Sequence, residues 1–116
     1  MITKIAFVGH HVEDMARAKQ FYALLGLKPV NEYSDKWSEF DAPDGKTIAL
    51  DAFSPEGTKP YLALETDDIE AEMARLEEAG TEVVKETWDN KVCKMALIKD
   101  PEGNVLMLHQ IAPDRA

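Results

Sequence analysis

The chain repeats itself after about 55 residues, and this internal duplication restricts its fold more than any other feature. Asp14 opens an amphipathic stretch that ends at Gly26, and Asp68 opens a second that ends at Gly80, so both pairs are 54 residues apart. Repeat architectures that stack along one axis need about three copies or more. Two copies therefore predict two similar modules packed into a single domain.

Each module is predicted to run strand, helix, strand, strand, strand. An aspartate is a good N-cap for each helix, and the glycine that follows supplies the left-handed residue at which a helix ends. The helices are followed by short apolar runs broken by turn residues, which predicts strands at 28–34, 37–42 and 46–53 and again at 81–87, 92–99 and 104–111. The opening strand is predicted at 2–12. Module one is residues 1–53, module two is residues 61–116, and the Pro- and Gly-containing segment 54–60 links them in one α+β domain, 1–116.

Charge and composition exclude several classes of protein. The chain has 22 acidic and 13 basic residues, a net charge of -9 and a single cysteine. An acidic chain with no Lys/Arg run repels phosphate backbones and anionic lipids, and one cysteine cannot form an internal disulfide. The apolar runs reach about five residues, where a membrane span needs about 20. We expect a cytoplasmic protein of bacterial type, with neither nucleic acid nor membrane as partner.

Alternation along the strands separates two faces of each predicted sheet. Ile48 and Leu50, and likewise Leu106 and Leu108, are expected beneath the helices. The opposite face, here called the inward face, then mixes aromatic, small and ionisable residues: Phe7, Gly9, His11, Ala49, Asp51, Phe53, Tyr61, Ala63, Glu65, Met107, His109 and Ile111. Such a lining is typical of a ligand pocket. A satisfied polar core or a wet subunit interface is the alternative interpretation.

Several segments resemble the vicinal oxygen chelate superfamily, which contains glyoxalase I, bleomycin-resistance proteins and extradiol dioxygenases. They are His11–Met15 leading to Phe21–Leu27 in module one, and Leu62–Asp68 with Asp100–Asn104 in module two. The resemblance spans nearly the whole chain and keeps the order of both modules. It implies two βαβββ modules whose mixed sheets curl around a shared cleft, in a homodimer.

The resemblance also implies where a divalent metal would be held. Counted from the shared motifs, the four ligand positions fall on Phe7, Ala49, Tyr61 and Met107. These residues cannot build a site of hard oxygen and imidazole ligands. We therefore expect a member of the family that lacks the metal ligands and uses no cofactor. A relocated metal remains as a counter-hypothesis, because the inward face offers His11, Asp51, Glu65 and His109.

From these observations we predict a protein that binds or sequesters a small molecule, as bleomycin-resistance proteins do in antibiotic resistance. A cationic or aromatic ligand suits the acidic chain. The predicted ligand-binding residues are Phe7, His11, Trp37, Asp51, Tyr61, Met107 and His109, and no catalytic residue is assigned. Whether the protein is an enzyme stays open, with a binding protein favoured. The alternatives are a lyase, isomerase or oxygenase that uses the relocated metal or a His-carboxylate acid–base pair, and an interaction domain whose cleft is closed by a partner.

Overall fold

The structure is a computed structural model that describes residues 1–115. In chain order its elements are β1 (Ile2–His11), α1 (Met15–Leu24), β2 (Lys28–Ser34), β3 (Trp37–Asp41), β4 (Thr47–Asp51), β5 (Tyr61–Thr66), α2 (Ile69–Glu78), β6 (Val83–Asp89), β7 (Cys93–Lys99) and β8 (Val105–Ile111), followed by a short 3-10 turn, Pro113–Arg115. The predicted order of strands and helices is confirmed in both modules. None of the helices described between residues 1 and 115 has the length and hydropathy needed to span a bilayer.

Both helices begin and end at the residues that the sequence indicated. The Asp14 carboxylate accepts a hydrogen bond from the Arg17 backbone N–H at 3.1 Å, and the Asp68 carboxylate does the same for Ala71 at 3.1 Å. Gly26 and Gly80 follow with φ of 90° and 89°, a region that residues with a Cβ rarely adopt. Local capping chemistry thus gives two ten-residue helices at the same repeat interval.

The chain divides into two compact units that do not coincide with the module boundaries. The first unit is residues 7–60, and the second is residues 1–6 together with the chain from Tyr61 onward. The beginning of β1 belongs to the second unit, where the Thr3 hydroxyl donates to the Glu65 carbonyl at 3.3 Å. Strand β1 therefore supplies residues to both units.

In the first unit the strands lie in the order β2-β3-β4-β1. Strands β1 and β4 are parallel, and the other neighbouring pairs are antiparallel. Helix α1 covers one face, where Met15, Phe40 and Leu50 form a buried core. The predicted position of Leu50 beneath the helix is confirmed.

The second unit repeats this plan with the strand order β5-β8-β7-β6. Strands β5 and β8 form the parallel pair, and β7 lies antiparallel to β6 and β8. Helix α2 packs over a core of Ile69, Met73, Ala96, Ile98 and Leu108. The α+β class with two βαβββ modules and mixed sheets is confirmed.

Some side chains of the helices lie elsewhere than amphipathicity predicts. Helical spacing predicts Phe21 and Leu25 on the inner face of α1, and it predicts Glu72 on the solvated face of α2. In the structure Phe21 and Leu25 are exposed and Glu72 is buried. Glu72 is buried because the ammonium group of Met1 contacts its carboxylate at 2.8 Å and the Arg75 guanidinium contacts it at 2.6 Å. Helical periodicity cannot predict these partners, since one of them lies far away in the sequence.

Candidate functional site

In the first unit, two of the predicted ligand-binding residues form an aromatic pair. The rings of Phe7 in β1 and Trp37 in β3 meet edge to face, with centroids 5.5 Å apart and planes at 82°. The Trp37 indole N–H donates to the Glu39 carboxylate at 2.8 Å, and the Asn31 amide donates to the same carboxylate at 2.9 Å. The aromatic pair is therefore bordered by a fixed carboxylate that the sequence analysis did not single out.

Asp51 and His11 meet at the ends of β4 and β1 in the same unit. The parallel register places His11 opposite Asp51, and the antiparallel register of β3 places Trp37 opposite Asp51 on its other side. Asp51 is buried, and its Oδ1 accepts hydrogen bonds from the backbone N–H groups of Phe53 at 2.8 Å and Ser54 at 3.1 Å. The carboxylate thus holds the chain where it leaves the sheet.

The imidazole of His11 is fixed on both sides. Its Nδ1 lies 2.7 Å from the Ser54 hydroxyl, and its Nε2 contacts the Glu13 carboxylate. Because a carboxylate only accepts hydrogen bonds, Nε2 carries a proton in this arrangement. The first unit therefore brings together four predicted site residues: Phe7, His11, Trp37 and Asp51.

In the second unit, the remaining predicted residues lie on the parallel pair β5 and β8. Ala63 pairs with Met107 and Glu65 pairs with His109 in the strand register. Tyr61 lies two residues before Ala63 on the same face of β5, because successive side chains of a strand alternate. The unit thus places Tyr61, Met107 and His109 on one face, as the inward-face prediction requires.

Glu65, which is buried, and His109, which is partly buried, form a carboxylate–imidazole pair on this face. Glu65 Oε1 lies 2.6 Å from His109 Nδ1, and Oε2 accepts the backbone N–H of Ile111 at 2.8 Å. Both carboxylate oxygens are therefore engaged, and the proton of this contact lies on Nδ1 whenever Glu65 is ionised. Such a contact fixes both the ring orientation and the tautomer of the histidine.

The side chains at the four expected metal positions do not fit a metal. Phe7 is 6% exposed, Ala49 0%, Tyr61 8% and Met107 6%, so they are carbon-rich groups in a buried setting. Phenylalanine and alanine offer no donor atom, and a thioether prefers soft ions. Nowhere in the described part of the chain do three His, Cys, Asp or Glu side chains gather as a metal would need. Each unit brings together only two members of the alternative set, His11 with Asp51 and Glu65 with His109.

Sequence reasoning missed three residues that contact the predicted set, namely Glu13 beside His11, Glu39 and Ser54. Glu39 contacts the Trp37 indole, and the period-two pattern of β3 already places these two side chains on one face. Ser54 was assigned to the linker, yet its hydroxyl binds His11 and its backbone binds Asp51. No local pattern indicated Ser54, because its role depends on the end of β1, 43 residues earlier.

Several groups of the second unit that lie outside the predicted site residues have a pKa that clearly departs from its usual value, and two contacts give examples. The Lys94 ammonium lies 2.7 Å from Glu70 and holds the pKa of that carboxyl below its usual value, while Glu70 raises the pKa of Lys94. Hydrogen bonds from Asn104 lower the pKa of Asp100 in the turn before β8. The first contact joins α2 to β7, and the second lies within the turn before β8.

Comparison with known families gives one match that covers most of the chain. The family model of the glyoxalase/bleomycin resistance protein/dioxygenase superfamily matches residues 4–108. A comparison with curated proteins found no match.

Solved structures share the fold at low sequence identity. One is described as an NAD-dependent benzaldehyde dehydrogenase from Legionella pneumophila, with a TM-score of 0.77 and 15% identity over 91% of this chain and 98% of that chain. Another is methylmalonyl-CoA epimerase from Mycobacterium tuberculosis, with a TM-score of 0.77 and 23% identity over 97% and 91%. A third, a glyoxalase/bleomycin resistance protein/dioxygenase superfamily member from Vibrio splendidus 12B01, has a TM-score of 0.71 and 19% identity over 95% and 100%. At these identities the likeness shows the fold alone.

Proposed function

Because the chain belongs to the glyoxalase/bleomycin resistance protein/dioxygenase superfamily, we propose that it binds a small organic molecule through its inward face without the metal typical of the family's enzymes. The ligand is aromatic, cationic or both. In the first unit the proposed contacts are Phe7 and Trp37 as apolar groups and His11 and Asp51 as polar ones. In the second unit they are Tyr61 and Met107 as apolar groups and His109 as a polar one.

The observation that carries this proposal is the replacement of the metal positions by buried apolar side chains. The positions expected to hold an ion carry buried, carbon-rich side chains instead, namely Phe7, Ala49, Tyr61 and Met107. Fixed acidic groups remain close by in each unit, with Glu39 against the Trp37 ring and Glu65 against His109. Aromatic rings attract cations by about 0.5–2 kcal/mol per contact, and a neighbouring carboxylate adds to that attraction.

The ligand is best sought with a thermal-shift screen of aromatic cations, glycopeptide and polyketide antibiotics and glutathione conjugates. Since Tyr61 and Asp51 are buried, the variants that test the site are conservative ones, Tyr61→Phe, Trp37→Phe and Asp51→Asn. We expect Trp37→Phe and Asp51→Asn to lower the affinity of a hit several-fold. The matched control is Lys46→Met, at an exposed residue outside the set. If no compound stabilises the protein, or if the control weakens binding equally, the proposal is wrong.

A second candidate function, metal-free acid–base catalysis, is favoured by the contact between Glu65 and His109. An imidazole whose Nδ1 is held by a carboxylate is oriented to transfer a proton through Nε2. A direct assay is the isomerisation of the hemithioacetal of methylglyoxal and glutathione, measured with a chelator present. Activity that survives the chelator and is lost in His109→Gln, but retained in Lys46→Met, would favour this enzyme over the binding protein.

We also propose that the protein acts as a homodimer. Strand β2 lies at one end of the first unit's strand order, and all seven of its residues are exposed. An exposed edge strand of this length offers unpaired backbone groups to a second copy. Val30 and Tyr33 on the same strand are exposed apolar side chains that a second copy would cover.

A further inference from the structure

An open depression of about 440 Å³ lies in the first unit, where the beginning of α1 meets the end of β1. Its wall is formed by the side chains of His10, Asp14, Arg17, Ala18, Phe21 and Tyr22. His11 also reaches its edge and is the one residue that it shares with the predicted inward-face set. The depression is within the size range of small-molecule sites, which are about 300–1,000 Å³.

The internal repeat allows the outer wall of this depression to be compared with the equivalent positions of the second unit. At an interval of 54 residues, Ala18 and Phe21 of α1 correspond to Glu72 and Arg75 of α2. In the second unit, Glu72 and Arg75 form an ion pair at 2.6 Å, with the carboxylate buried against the helix. In the first unit, the same two positions carry a small side chain and a ring that is 53% exposed. The ion pair that covers this part of α2 is therefore missing from α1.

The inner wall of the depression also differs from the equivalent positions of the second unit. His10 and Tyr22 correspond to Leu64 and Leu76, which pack against the apolar core of the second unit. In the first unit, His10 Nδ1 and the Tyr22 hydroxyl are 2.8 Å apart, while the Tyr22 ring still packs against the apolar core. The wall of the depression thus carries an imidazole and a phenolic hydroxyl where the second unit has two leucines. These polar atoms, which lie in an open depression beside the exposed Phe21 ring, point to a ligand.

The groups at the rim indicate the ligand's charge. Arg17 is exposed, and its guanidinium makes no ion pair within residues 1–115. The Asp14 carboxylate is engaged in capping, with Oδ1 accepting the Arg17 backbone N–H at 3.1 Å. Beside them, the half-exposed Phe21 ring meets Tyr22 edge to face at 5.4 Å and 84°. A guanidinium binds planar acid groups by paired hydrogen bonds, and an exposed ring binds flat apolar groups.

We propose that this depression is a second ligand site, which takes a small aromatic acid. The acid group pairs with the Arg17 guanidinium, and the ring of the ligand lies against Phe21 above Ala18. The site differs in charge preference from the inward face, and its occupation does not depend on the function proposed above.

The test uses phenylacetate as the probe, titrated into ¹⁵N-labelled protein. We expect shifts of the backbone amides of Arg17, Ala18 and Phe21, and an affinity about tenfold lower in Arg17→Met, because one charge-assisted contact is lost. Lys46→Met is the matched control, since it removes one exposed positive charge from the same unit. It is expected to bind phenylacetate as the unaltered protein does. Equal binding by Arg17→Met would overturn the proposal.

The sequence of α2 suggests a variant of α1 in which the depression is covered. The double change Ala18→Glu with Phe21→Arg installs the ion pair of the second unit on α1, and we expect it to abolish the shifts caused by phenylacetate. If it binds phenylacetate normally, the proposal is wrong. The charge preference is tested with the neutral 2-phenylacetamide and the cationic phenethylammonium, both expected to bind at least tenfold more weakly. Equal or tighter binding of either compound would also overturn the proposal. Arg17→Met changes an exposed side chain, so it keeps the test decisive should the double variant fail to fold.

Discussion

Truncation of Leu50 tests whether the helix-covered face is the core that stabilises the first unit. Leu50 is 0% exposed and packs with Met15 and Phe40 beneath α1. Leu50→Ala removes a buried side chain whose space the rigid sheet cannot refill, which costs about 3 kcal/mol within a range of roughly 2–5. For a domain of this size, that loss lowers Tm by about 12 °C.

The matched control is Leu24→Ala, the same substitution in the same unit at a side chain that is 83% exposed. It is expected to change the free energy of unfolding by less than about 0.5 kcal/mol. Urea unfolding followed by fluorescence measures both variants, since Trp37 lies in β3 beside β4. A loss below 1 kcal/mol for Leu50→Ala, or an equal loss for Leu24→Ala, would refute the assignment of the core.

Three further predictions concern a helix cap, an ion pair and the assembly. Asp14→Ala removes the hydrogen bond to the first turn of α1 and should cost about 1 kcal/mol in urea unfolding; an unchanged midpoint would contradict the capping role. Lys94→Met should return the pKa of Glu70 upward to its ordinary range, as measured by carboxyl NMR. Because that pKa is lowered in the folded chain, the pair stabilises the fold above the usual glutamate range and ceases to do so as the pH falls through the folded value. Sedimentation at micromolar concentration should give a dimer near twice 13.0 kDa, and a monomer would disprove the proposed assembly.

The sequence by itself determined the secondary structure and the helix-covered faces, because both depend on local chemistry. Asp14 and Asp68 cap their helices with hydrogen bonds to residues three positions away, and Gly80 ends α2 through a φ that only local sterics govern. Alternation along a strand likewise identified Leu50 and Leu108 as core residues, since a period of two assigns every side chain to one face.

Only the tertiary structure decided which groups on those faces meet. Glu65 and His109 are 44 residues apart and His11 and Ser54 are 43 apart, so their contacts follow from the pairing of β5 with β8 and of β1 with β4. The predictions that Phe21 is buried and that Glu72 is exposed are wrong for the same reason. A helical period indicates which side of α1 or α2 faces the sheet. Whether another part of the chain also covers a helix side chain depends on residues that are distant in the sequence. The pattern of one segment carries no information about those residues.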